Sequence, residues 1–133
     1  MANTGTPNPK GLDFYNRLLD NFVANDIAPF PTLYHWDLPQ ALQDRGGWET
    51  RDTADAFADY AGYVAEKLSD RARHFFTLNE CATFVELGHA TGVFAPGSRR
   101  RRMAEAGCSA ATLTASEAPW LLSACLRGGE ARP

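Results

Sequence analysis

Cysteine is scarce and odd in number. Cys81, Cys108 and Cys125 stand in no Cys-x-x-Cys spacing, so neither a disulfide framework nor a zinc site is expected, and each thiol reads as buried or incidental. No stretch reaches ~18 consecutive apolar residues, and no basic-then-apolar leader opens the chain. A membrane span is therefore not expected, and a cytoplasmic location is. An overall positive charge is lacking too: 13 Lys and Arg face 16 Asp and Glu, a net charge of −3 that does not favour a nucleic-acid partner. What is present is 133 residues, 44% hydrophobic and 22% charged, about one globular domain's worth of chain.

The charge is unevenly placed. Residues 1–97 carry 7 basic against 13 acidic side chains, whereas residues 98–133 carry 6 against 3. A shift of that kind marks a boundary. After a loop-forming opening rich in Asn, Thr, Gly and Pro, a helical period starts near Gly11, with Leu12, Tyr15, Leu18, Leu19, Phe22 and Val23 recurring at three- and four-residue steps. Asn25-Asp26 closes it. The apolar run Ile27 to Tyr34 is weakened as a strand by Pro29 and Pro31, which leaves Thr32 to His35 as the strand core. Leu38 to Arg45 reads as a short helical turn, and Gly46-Gly47 punctuates it. A strong helix is expected from about Asp52 to Leu68, capped by Thr50 or Asp52, and a strand from Ala72 to Leu78. Helix, strand, helix, strand is an α/β order, and the helix between the two strands is the right-handed crossover that parallel pairing needs.

The second strand, His74-Phe-Phe-Thr-Leu-Asn-Glu80, is an apolar run that stops abruptly in polar groups. Such a run suits a strand covered on both faces. Asn79 and Glu80 then sit at its carboxyl end, where α/β folds gather their ligands. A plainer alternative stands beside this: Asn79 as a helix cap with Glu80 as a first-turn acid. The first strand is built on the same plan, ending in His35-Trp36-Asp37.

Five motifs follow one another in register: Pro31-Thr-Leu-Tyr-His-Trp-Asp-Leu-Pro39, Gly46-Gly-Trp48, Phe57-Ala-Asp-Tyr60, Thr77-Leu-Asn-Glu80 and Gly92-Val-Phe-Ala-Pro-Gly97. In these the chain resembles glycoside hydrolase family 1, the β-glucosidase family, over about residues 7–97. The resemblance implies a fragment of a (β/α)8 TIM barrel, about two strands with their helices, and cleavage of β-linked sugars with retention and without a cofactor or metal. It implies that Glu80 is the general acid/base, that Asn79 contacts the sugar 2-hydroxyl, and that His35 and Trp36 contact other hydroxyls of the glycone. The partner it implies is a β-glycoside or small sugar, with no nucleic acid and no membrane.

Other residues of these stretches take quieter readings. Asp37 is expected as a cap or anchor, Trp48 as a core or loop anchor, His74 at a strand start and His89 in a loop. Glu86, six residues past Glu80, faces elsewhere.

Two departures from the family pattern stand out. Cys81 occupies the position after the acid where the family usually has proline. After Gly97 the resemblance ends, and no second carboxylate motif follows. Residues 98–133, opening with Ser98-Arg-Arg-Arg-Arg102, are expected to be an unrelated, irregular C-terminal tail. It reads as a solvated disordered segment, as an anion-binding arginine run, or, the preferred reading, as a frame-shifted translation. Two strands cannot close a barrel of eight, so self-association through open sheet edges is expected as well.

Overall fold

The computed structural model describes residues 5–99. Helix α1 (Pro9–Ala24) starts where the Asn8 side chain accepts from the backbone N–H groups of Lys10 at 3.1 Å and Gly11 at 3.4 Å, with Pro9 at the position that needs no N–H. It stops where Asn25 turns its N–H to the Phe22 carbonyl and Asp26 takes a left-handed φ of 57°. Strand β1 (Thr32–Tyr34) follows, then the short helix α2 (Gln40–Gln43) and a 3-10 turn over Gly47–Glu49. Gly46 and Gly47 both have positive φ, and a Cβ on either would fall within 2.6 Å of Thr50 or Gln43 atoms. Here the chain can turn only on glycine.

Helix α3 (Arg51–Leu68) buries Ala56, Ala61 and Ala65, small side chains that let its axis lie close to its neighbours. Thr50 occupies its cap position without making a cap bond; its hydroxyl donates instead to the Gly47 carbonyl at 3.1 Å. Strand β2 (Phe76–Leu78) lies parallel to β1, Thr32 opposite Phe76 and Tyr34 opposite Leu78. The chain then enters helix α4 (Cys81–Val85) and a π-helical turn over Glu86–Ala90.

Two packing centres result. Leu19 of α1 meets Leu68 and Ala72, with Leu12, Phe22, Val64 and Phe75 around them. Tyr34 meets Phe84 and Val85 under Trp36, Leu38, Trp48, Phe57 and Leu78. Arg71 ties α1 to the start of the β2 segment: it donates to the Asp20 carboxylate at 2.7 Å, the Asn16 amide oxygen at 2.7 Å and Asp70 at 3.1 Å.

The α/β order and the parallel pair agree with the sequence reading. Strand β2 is shorter than expected, because Ala72 is fully buried beneath α1 and α3 rather than paired. Nor is the sheet covered on both faces. Phe76 is 59% exposed, whereas its neighbour Phe75 packs with Leu19 of α1 and Leu68 of α3, and only two strands are present among the described residues. His89 is not in a loop: it is 1% exposed within the π-helical turn. The expected irregular tail lies, from residue 100 onward, outside the described residues.

Candidate active site

The parallel register does the positioning. Because Tyr34 lies opposite Leu78, the two chains leave the sheet side by side, His35-Trp36 on one and Asn79-Glu80 on the other. The ladder runs one step further through Asn79 N–H to the Tyr34 carbonyl at 3.0 Å. The Asn79 amide nitrogen then lies 3.4 Å from His35 Nε2, and the indole N–H of Trp36 donates to the Asn79 carbonyl at 2.9 Å. Three of the four residues expected from the sequence, His35, Trp36 and Asn79, thus touch at one sheet end, and Glu80 follows Asn79 in the chain. Asp37 acts as the anchor it was read to be, accepting the His35 backbone N–H at 3.4 Å.

Both strands leave the sheet through the same backbone device. Trp36 has φ 76° and Glu80 φ 41°, left-handed values that side chains other than glycine seldom take. Such conformations cost of order 1–3 kcal/mol each and persist where surrounding structure imposes them. Asn79 is not the cap of α4. Glu80 occupies that place, makes no side-chain cap bond, and presents an exposed carboxylate. The half-buried thiol of Cys81 takes the first position of α4, where a proline would lose no helical hydrogen bond.

Beneath this edge Trp48 is the core anchor expected of it, edge-on to Tyr34 at 5.1 Å and to Phe57 at 5.8 Å. Its indole N–H is buried without a hydrogen-bond partner, and its nearness to the Tyr34 hydroxyl favours the phenolate. Burial outweighs it and pushes the Tyr34 phenol above 10.0. A pocket of about 70 Å³ opens between Trp36, Trp48, Phe84, His89 and Pro96.

Two contributors escaped sequence reasoning. The Phe94 ring lies 5.6 Å from that of Trp36 and extends the aromatic wall of the site. His89 anchors the segment that carries it: Ser98 Oγ lies 3.3 Å from His89 Nδ1, and Glu49 Oε1 lies 4.0 Å from the same nitrogen. The segment is also held by the Phe94 N–H on the Leu87 carbonyl at 2.9 Å, and it passes so close that a Cβ on Gly88 would sit 2.5 Å from the Ala95 carbonyl oxygen. The only sequence signal for this close passage was the pair of glycines flanking His89, which reads equally well as a loop. Among the described residues no three His, Cys, Asp or Glu side chains gather to hold a metal.

Chemically the edge offers an exposed carboxylate, an amide, an imidazole and an aromatic wall on one side of a sheet end. Residues 1–122 match the model of glycosyl hydrolase family 1. A 1,4-beta-D-glucan glucohydrolase of Thermotoga neapolitana is 51% identical over 96 residues, which is 72% of this chain and 23% of that one. Thermostable beta-glucosidase B of Thermobispora bispora is 55% identical over 95 residues, 71% of this chain and 20% of that one. Among solved structures, a Thermotoga maritima family 1 glycoside hydrolase complexed with a cyclophellitol-analogue transition-state mimic superimposes with a TM-score of 0.88 at 40% identity, over 97% of this chain and 29% of that one. The beta-glucosidase of the same organism in complex with deoxynojirimycin matches equally well. The chain thus spans about a quarter of the length of the relatives it matches, and its fold is a portion of their (β/α)8 barrel.

Proposed function

Because the chain belongs to glycosyl hydrolase family 1, we propose that it carries the acid/base half of a β-glucosidase-type site that cleaves β-glucosides with retention. The observation that carries this reading is the meeting of His35 and Trp36 with Asn79 at one sheet end, with Glu80 the next residue of the chain. In such a reaction Glu80, as a carboxylic acid, protonates the leaving glycosidic oxygen. The resulting carboxylate then deprotonates the water that releases the sugar. Asn79 addresses the 2-hydroxyl, where hydrogen bonds strengthen as charge develops at the anomeric carbon. His35 and Trp36 orient further hydroxyls through their ring N–H groups.

Retention also needs a nucleophilic carboxylate about 5–5.5 Å from the acid. No described residue is assigned that role, since Glu86 sits on the turn beyond α4. The isolated chain is accordingly read as inactive or nearly so.

A chimaera tests the reading. Residues 7–97 replace the matching segment of the Thermotoga neapolitana enzyme, and turnover of an aryl β-glucoside is measured. Turnover that falls by about 10²–10⁴-fold on Glu80→Gln supports the assignment. A folded chimaera in which Glu80→Gln has no effect removes it.

A further inference from the structure

His89 is a buried titratable group that the proposed reaction does not use. It is 1% exposed within the π-helical turn, yet much of its cover is a short turn and an irregular segment. On one side stands the Gly47–Glu49 turn, with Glu49 Oε1 4.0 Å from His89 Nδ1. On the other runs segment 92–98, whose Ser98 hydroxyl lies 3.3 Å from the same nitrogen and whose Ala95 and Pro96 line a pocket with the ring.

That segment is lightly held. Val93 is 71% exposed and Phe94 42%. Its ties to the π-helical turn include the Phe94 N–H on the Leu87 carbonyl at 2.9 Å and the Ser98 hydroxyl, which lies 3.5 Å from the Gly88 carbonyl and 3.4 Å from that of His89. Few buried apolar contacts, with hydrogen bonds close to solvent, are what local opening needs. Lifting the segment would carry the Phe94 ring off that of Trp36, 5.6 Å away in the closed arrangement.

The proton on His89 decides how well this cover fits. In a neutral ring Nδ1 accepts a hydrogen bond from the Ser98 hydroxyl, and the ring's own proton is on Nε2. Proton uptake puts an N–H on Nδ1, and the hydroxyl must then turn its own hydrogen to the Gly88 or His89 carbonyl. Charged groups nearby are Glu49 on the facing turn, Glu86 on the same turn as the imidazole and Arg99 just past Ser98. Glu49 comes nearest among the described residues, and at 4.0 Å it is beyond hydrogen-bond reach. Tyr34 lines the same pocket but stays neutral, its phenol being pushed above 10.0. A charged ring enclosed in this way loses its water without gaining a close counter-ion, so the closed segment disfavours the proton, and burial lowers the His89 pKa from 6.5.

We propose that His89 is a proton-sensitive latch on segment 92–98: neutral, it holds the segment and the Phe94 side of the wall closed through Ser98; protonated, it releases them. The latch is independent of the role given to Glu80. The open state takes up the proton near pH 6.5 and the closed state only below it. Opening therefore grows as the pH falls through that value and levels off once the closed state is protonated as well.

The test is amide hydrogen exchange of residues 1–133, followed by NMR from pH 7.5 to 5.5, with each rate divided by its intrinsic rate at that pH. Protection of the Phe94 amide is expected to fall about three- to tenfold over this range. It is also expected to stay below that of the Ala61 and Ala65 amides in α3, which report global unfolding. His89→Gln is expected to remove most of the fall, and Ser98→Ala to lower protection already at pH 7.5. In the unaltered chain, Phe94 protection that is flat with pH, or equal to that of the α3 amides throughout, overturns the latch. So does a fall that persists unchanged in folded His89→Gln protein, or a Ser98→Ala protein as well protected as the parent.

Discussion

The indole N–H of Trp36 reaches across the ends of two parallel strands and donates to the main-chain carbonyl of Asn79 at 2.9 Å. One site residue thereby fixes the backbone of another, and the sheet's hydrogen bonding extends past its last paired residues, Tyr34 and Leu78. Trp36→Phe keeps an aromatic ring against Phe94 and removes the donor. The expected cost is about 1–2 kcal/mol, read from the urea midpoint.

Glu80 is held at φ 41°. Glu80→Gly removes a side chain from a backbone that favours glycine, so stability is expected to rise by about 0.5–1 kcal/mol while the proposed acid/base is lost. Asp26→Gly, at φ 57° in the turn that ends α1, is the comparison. It is expected to give a similar or smaller gain, because aspartate tolerates this region better than most residues. Thermal melts of the two variants separate backbone strain from any effect of charge.

His89 makes stability depend on pH. Burial pushes its imidazole below 6.5, with Glu49 pulling weakly the other way. The unfolded chain therefore takes up the proton first. Stability is full above about pH 6.5 and falls as the pH drops below that value, until the folded imidazole protonates too. The melting temperature is expected to decline from pH 7.5 to 5.5, and His89→Gln is expected to flatten that decline. An unchanged slope in the variant would remove His89 as its source.

Arg71 holds α1 against the entry to β2 through Asn16, Asp20 and Asp70. Both carboxylates are mostly exposed, which limits what the ion pairs contribute. The planar fork to Asn16 and Asp20 matters more. Arg71→Ala is expected to cost about 1–2 kcal/mol, and Arg71→Lys to recover less than half of it, because an ammonium cannot span both partners. Urea denaturation of the three proteins gives the comparison.

The two long helices and the parallel pair were legible because their signals are local, an apolar period and an Asn25-Asp26 stop, although α1 starts at Pro9 under the Asn8 cap rather than near Gly11. His35, Trp36 and Asn79, singled out by motif resemblance, lie together because the parallel register brings the two strand ends side by side. The length of β2 was not legible, since no glycine or proline separates Ala72 from the strand and the burial of Ala72 against α1 is a long-range fact. Periodicity also hid the exposure of Phe76, because a strand built to be covered on both faces reads the same whether or not its cover is present. His89 was missed for a related reason. Its burial depends on Glu49, forty residues away, and on a close backbone passage that no side-chain pattern records.

That passage constrains how the site can change. With Gly88 pressed against the Ala95 carbonyl, the segment bearing Phe94 has no slack, and any side chain at position 88 must displace the aromatic wall beside Trp36. A saturation scan is expected to mark Gly88 as intolerant. Variants that widen the wall therefore have to come from Phe94 itself, within an unchanged backbone.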